Sequence, residues 1–162
     1  MWKTGHSLIK AKMKELKAPL AGEMSGHMFF GGDYLGFDDA LFAAARLLEI
    51  VSRQPFGLAP LLADLPRTYA TPEIRVDWPE EEKFDLVERA AVHYATLYPV
   101  NTIDGVRITF PQGWGLLRAS NTQPVLVMRF KATDQAKRDE YRAEVEGWLE
   151  RQKKALTVNS ER

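Results

Sequence analysis

Trp114-Gly115-Leu116-Leu117-Arg118-Ala119, then Ser120-Asn121-Thr122-Gln123, then Pro124-Val125-Leu126-Val127-Met128-Arg129-Phe130-Lys131-Ala132, reads as two strand-forming runs joined by a short polar loop. Two apolar runs this close in sequence predict an antiparallel pair, and so a sheet folded by local connections. The loop carries chemistry as well as a turn. Arg118 sets one fixed cation beside Ser120, Asn121 and Thr122. A guanidinium fork among hydroxyls, an amide and turn N–H groups matches a phosphate dianion in charge and shape. The same composition also makes an ordinary surface turn.

Working outward, residues 73 to 78 and 102 to 110 read as further strands, and 80 to 97 and 135 to 153 as helices. Phe84, Val87, Ala91, Tyr94 and Tyr98 recur at helical spacing, as do Tyr141, Val145 and Trp148, which predicts two core-facing stripes. Asp77 followed by Glu80 resembles a capping box. The order β-α-β-β-β-α predicts an antiparallel sheet covered by two helices, an α+β unit. Upstream, Pro55, Pro60, Pro66 and Pro72 mark a linker, and the boundary is expected near Arg67, giving segments 1–66 and 67–162. In the first segment, residues 7 to 17 predict a helix with Ile9, Met13 and Leu16 on one side. A second helix is expected from near Asp38, with Phe37, Leu41, Ala44, Leu48 and Val51 as its apolar stripe.

Between those helices lies Gly22-Glu23-Met24-Ser25-Gly26-His27. In an extended segment, positions 23, 25 and 27 point to one side, presenting a carboxylate, a hydroxyl and an imidazole to one ligand. Such a mixture suits a polyhydroxylated ring, because carboxylates accept from hydroxyls while Ser and His donate. One carboxylate and one histidine in this string fall short of a usual metal-ligand set, so no metal site is expected within the chain. His93, mid-helix between apolar neighbours, reads as structural.

The 162 residues carry 22 basic and 22 acidic side chains and no cysteine. The balance argues against nucleic acid as the main partner, which normally leaves a basic footprint. Lys10, Lys12, Lys14 and Lys17 spread around their helix and read as a solvated surface. No apolar run reaches the roughly 20 residues that span a membrane, and no signal peptide precedes the first motif, so membrane association is not expected. The absence of cysteine fits a reducing cytoplasm.

Several strings in a fixed order resemble the alpha-D-phosphohexomutase family, and within it the bacterial phosphomannomutase/phosphoglucomutase branch. They are Trp2-Lys3-Thr4-Gly5-His6-Ser7-Leu8-Ile9-Lys10, Gly22 to His27, Gly36-Phe37-Asp38-Asp39, Ala44-Ala45-Arg46-Leu47-Leu48-Glu49, Asp104-Gly105-Val106-Arg107, and Gly113-Trp114-Gly115 leading into Arg118-Ala119-Ser120-Asn121-Thr122. The resemblance implies an α/β sugar-binding segment over 1–66, the end of the family's third domain, followed by its last domain over 67–162, which resembles the TATA-binding-protein fold. That likeness of fold carries no implication for DNA.

It further implies an active-site role for His6 in catalysis, sugar contacts from Glu23, Ser25, Gly26 and His27, and a hold on the non-reacting phosphate by Arg118, Ser120, Asn121 and Thr122. Gln123 departs from the family's pattern at the edge of that loop. The implied activity of the complete enzyme is interconversion of hexose 1-phosphate and hexose 6-phosphate, with mannose and glucose as the sugars. A phosphoserine donates and a bisphosphorylated sugar is the intermediate. The 162 residues hold neither a Thr-x-Ser-His-Asn-Pro string nor an Asp-Gly-Asp-x-Asp-Arg loop for the implied Mg2+. The chain alone is therefore expected to bind hexose phosphates without turning them over. Alternatives are a non-catalytic sugar-phosphate-binding module, or an interaction fragment that self-associates through unpaired edges of its first segment.

Overall fold

The computed structural model describes residues 1–160 apart from Met24 and Asp33, with side chains as far as Ala155. The chain divides into two compact units, Met1–Leu65 and Pro66–Arg162.

The first unit starts with α1 (His6–Leu16), closed by Lys17 in the left-handed region at φ 50°, whose N–H reaches back to the Lys14 and Met13 carbonyls. Ile9 and Met13, one turn apart, bury against Phe29, which is fully inaccessible. Phe29 sits in a hairpin of β1 (Leu20–Gly22) and β2 (Met28–Phe30), paired antiparallel with Ala21 opposite Phe29. Next comes α2 (Ala40–Ser52). Its N-cap is Asp39, which accepts from the Phe42 N–H at 2.9 Å and from the Tyr34 hydroxyl at 2.5 Å. These two bonds favour the charged form and hold the Asp39 carboxyl below its ordinary range. The expected apolar stripe of α2 is there in sequence but not in burial. No α2 residue is buried, and Leu41 and Leu48 are 85% and 68% exposed. A hydrophobic period specifies that a face is apolar, not that this chain supplies its cover.

The second unit is one six-stranded antiparallel sheet with two helices. In chain order it runs β3 (Tyr69–Ala70), β4 (Ile74–Asp77), α3 (Lys83–Ala95), β5 (Val100–Asn101), β6 (Val106–Phe110), β7 (Gly113–Ala119), β8 (Val125–Ala132) and α4 (Gln135–Ser160). The spatial order is β3-β8-β7-β6-β5, and β4 also pairs with β8. Alternation assigns the faces: Val106, Ile108 and Phe110 of β6, Leu117 and Ala119 of β7, and Leu126, Met128 and Phe130 of β8 form one core with Leu86, Ala90 and Tyr94 of α3 and Tyr141, Val145 and Trp148 of α4. Phe110 stacks on Tyr141 at 4.2 Å between ring centres.

Three expectations are corrected. The strand expected over 102–110 begins only at Val106: residues 102–105 form a turn with Gly105 at φ +75°, and the short β5 precedes them. The pairing of Asp77 with Glu80 is not a capping box: α3 begins at Lys83, and its N-cap Glu82 makes no side-chain cap. The α3 stripe is turned by about one position, so that Lys83, Leu86, Val87, Ala90 and Tyr94 face inward while Phe84 is 50% exposed.

Candidate functional site

Arg118 lies near the end of β7, with Leu117 and Ala119 in the core and Arg118 half-buried on the opposite face. It forms no ion pair among the described residues. The loop beyond it is a Ser-centred turn. Ser120 Oγ accepts from the Thr122 and Gln123 N–H groups at 3.3 and 3.2 Å, and the Ser120 N–H donates to the Val125 carbonyl at 3.0 Å. Asn121 and Thr122 are exposed at the tip. The loop thus shapes itself through backbone groups and leaves two polar side chains and an adjacent guanidinium for a ligand.

Two cations missed in the sequence reading brace this loop from below. Lys83 is fully buried, and its Nζ donates to the Gln123 carbonyl at 2.9 Å and to Glu80 at 2.7 Å. Arg75 of β4 donates to the Gln123 side-chain oxygen at 2.5 Å. Gln123, the departure from the family pattern, is therefore an anchor of the loop. From the other side, Gly105 brings its turn against Arg118. A Cβ at Gly105 would stand 2.5 Å from the Arg118 Cβ and 2.5 Å from the Leu117 carbonyl oxygen.

The register extends the positive charge beyond the loop. Arg118 is opposite Val127, which is opposite Arg75; Arg107 is opposite Leu116, which is opposite Arg129. Directly opposed residues share a face, so Arg75, Arg107, Arg118 and Arg129 all lie on the face away from the core. Arg107 stacks over Trp114, 4.9 Å from the ring centre, and burial lowers its pKa. Overall charge balance concealed this row, because charge counts carry no register.

In the first unit, Glu23 to His27 is not extended. It is the turn of the β1–β2 hairpin, closed by Glu23 N–H to the His27 carbonyl at 2.9 Å and Gly26 N–H to the Glu23 carbonyl at 3.0 Å, with Gly26 at φ +96°. Met24 lies outside the described residues. Ser25 Oγ donates to Glu23 Oε2 at 3.1 Å, so these two meet through the turn and not by strand alternation, while His27 turns elsewhere. His27 Nδ1 lies 2.6 Å from Asp38 Oδ2, and His6 Nε2 lies 4.0 Å from the same oxygen. The two imidazole rings meet edge to face at 4.8 Å, and His6 packs on Phe29 at 5.3 Å. The hydrogen bond to His27 and the Met28 N–H hold the Asp38 carboxyl below its ordinary range. In sequence Asp38 reads as a helix-start residue; its partnership with two histidines far from it in sequence leaves no local signal. His93 stacks on Trp148 at 5.7 Å within the second unit.

His6, His27 and Asp38 are also the group of metal-capable side chains found among the described residues. They do not fit Mg2+, a hard ion that takes near-octahedral oxygen ligands, whereas this set offers two imidazole nitrogens and one carboxylate.

The family model for the alpha/beta/alpha domain III of phosphoglucomutase/phosphomannomutase matches residues 1–69, and the model for that family's C-terminal domain matches residues 73–147. The chain belongs to the phosphoglucomutase/phosphomannomutase family. It is 51% identical over 139 residues to a phosphomannomutase/phosphoglucomutase of Pseudomonas syringae pv. tomato, covering 84% of this chain and 30% of that protein. It is 48% identical over 141 residues to a phosphoglucomutase of Neisseria gonorrhoeae, covering 84% and 30%. A crystal structure of a phosphoglucomutase/phosphomannomutase family protein from Burkholderia thailandensis aligns with a TM-score of 0.81 at 46% identity, over 94% of this chain and 32% of that one. The chain thus spans about 30% of the length of the curated relatives it matches. The mixed α/β architecture with an antiparallel sheet in its second unit agrees with the expected fold class. No helix among the described residues is long and apolar enough to cross a membrane.

Proposed function

We propose that this chain supplies the sugar-binding and distal-phosphate-binding part of a cytoplasmic phosphomannomutase/phosphoglucomutase. The observation that carries this reading is the Arg118 loop: a guanidinium with no ion pair among the described residues, beside a Ser120-centred turn whose exposed Asn121 and Thr122 face no competing partner in the hydrogen bonds described. A phosphate there accepts from Arg118, Asn121 and Thr122 while Lys83 and Arg75 keep the loop in shape. Glu23 accepts from ring hydroxyls and Ser25 donates to them, and neither contact depends on which end of the sugar carries the reacting phosphate. That indifference suits a bisphosphorylated sugar that must turn end for end. In this reading His6, which lies near His27 and Asp38, binds or relays a proton at a hydroxyl or phosphate oxygen.

The phosphoserine donor and the Mg2+ loop belong to sequence that these 162 residues do not contain, so the chain alone binds and does not turn over. Purified chain should bind glucose 1-phosphate by calorimetry, prefer it to glucose, and give no glucose 6-phosphate in a dehydrogenase-coupled assay. Turnover by the pure chain, or equal affinity for glucose, refutes the assignment.

A second reading, self-association of the chain, is favoured by the uncovered apolar side chains of α2, where Leu41 and Leu48 share one face and are 85% and 68% exposed.

A further inference from the structure

We propose that His6, His27 and Asp38 form a binding site for a divalent transition-metal ion of the zinc class, separate from any Mg2+ requirement of the family. Two imidazoles and one carboxylate make a three-ligand set that leaves one coordination position for water or an incoming oxygen. The ligand atoms lie within 4.8 Å of one another, at 2.6 Å for His27 Nδ1 to Asp38 Oδ2 and 4.0 Å for His6 Nε2 to the same oxygen. A tetrahedral zinc with bonds of about 2.0–2.1 Å requires its ligand atoms about 3.3 Å apart. Those two separations are within about 0.7 Å of that, and the pair of imidazole nitrogens, inside the 4.8 Å bound of the set, closes by rotation of the two exposed histidine rings.

The ligands are held for the purpose. Asp38 Oδ1 accepts from the Met28 N–H at 3.2 Å, fixing the carboxylate plane, and the Asp38 backbone bridges Phe29. Phe29 is fully buried and packs edge-on against the His6 ring, so the helix start, the hairpin and the segment before α2 share one anchor. His6 and His27 side chains are 53% and 45% exposed, which gives the ion a route in. The sequence conceals the set because its first and last members are 32 residues apart and only His27 falls inside the sugar-binding string. The site itself does not depend on the mutase reading. One consequence does: since His6 and His27 also belong to the sugar end of the proposed site, an ion held there excludes the sugar and inhibits the complete enzyme.

Co2+ titrated into metal-free 162-residue chain tests this directly. The expected result is intense visible absorption of low-coordinate Co2+ that saturates at one equivalent, is abolished by Zn2+ and survives a large excess of Mg2+. His6→Ala and His27→Ala should each weaken binding by about tenfold or more, and His93→Ala should leave it unchanged. If a variant fails to fold, paramagnetic broadening in the wild-type chain decides instead, with the imidazole protons of His6 and His27 lost and those of His93 retained. A weak octahedral spectrum unchanged by the variants, or broadening that spares His6 and His27, overturns the site and leaves the sugar-phosphate reading untouched.

Discussion

Gly105→Ala is predicted to be strongly destabilising for the second unit. Gly105 sits at φ +75°, where a residue with a Cβ costs roughly 1–2 kcal/mol. The added Cβ would also stand 2.5 Å from the Arg118 Cβ, 2.5 Å from the Leu117 carbonyl oxygen and 2.8 Å from the Arg118 Cα. Two of these neighbours are backbone atoms of a central strand, so relief requires the strand to move, and overpacking of this kind costs about 1–3 kcal/mol. Reduced freedom of the unfolded chain returns about 0.4–1 kcal/mol. The net loss is about 1–4.6 kcal/mol, a large share of a domain's stability. Urea unfolding followed through Trp78, Trp114 and Trp148 measures it, with the slope unchanged. Gly147→Ala in α4, whose Cβ would meet only the Arg151 guanidinium at 3.6 Å, should instead stabilise by about 0.5–1 kcal/mol. A Gly105→Ala midpoint within about 0.5 kcal/mol of wild type would refute the argument that this glycine is required for the approach to Arg118.

Lys83→Met removes a charged donor to the Gln123 carbonyl, worth about 1.5–3 kcal/mol, but also relieves the burial of an ammonium, so global stability should change little. Amide exchange over 120–124 should nevertheless quicken by about tenfold, since loop order is what the bond supplies; unchanged protection counts against the bracing role. Because its folded pKa is lowered, Asp39 contributes stability that is present above its ordinary value of 3.8 and is lost as pH falls through the lower folded value. Amide protection at the start of α2 should therefore decline below about pH 4, and Asp39→Asn should flatten that dependence. Leu48→Lys should reduce any concentration-dependent sedimentation of the chain; association that is indifferent to this change places the contact elsewhere.

Much of the second unit was legible because its core closes within itself. The period-two alternation from Val106 to Ala132 and the aromatic stripe of α4 report burial correctly when sheet and helices cover one another. Failures came where local pattern and tertiary placement diverge. Lys83 reads as a surface lysine until the turn of α3 is known, and only then is it a buried brace. The α2 stripe reads as core but stays uncovered. Gly22 to His27 reads as extended, yet the hairpin pairing of Gly22 with Met28 forces it into a turn. The Arg118 loop was legible as chemistry, whereas the arginine row beside it depends on strand register, which composition does not encode.

The central claim, that Arg118 and the 120–122 turn receive a phosphate, is tested most directly by nuclear magnetic resonance titration of the isotope-labelled chain with inorganic phosphate and glucose 1-phosphate, alongside Arg118→Ala. The account predicts saturable shifts of the Ser120 to Gln123 amides with both ligands, weakened about tenfold or more by the substitution, in line with loss of a charge-assisted bond of about 1.5–3 kcal/mol. Loop amides that do not respond, or that respond equally in the Arg118→Ala chain, would contradict it.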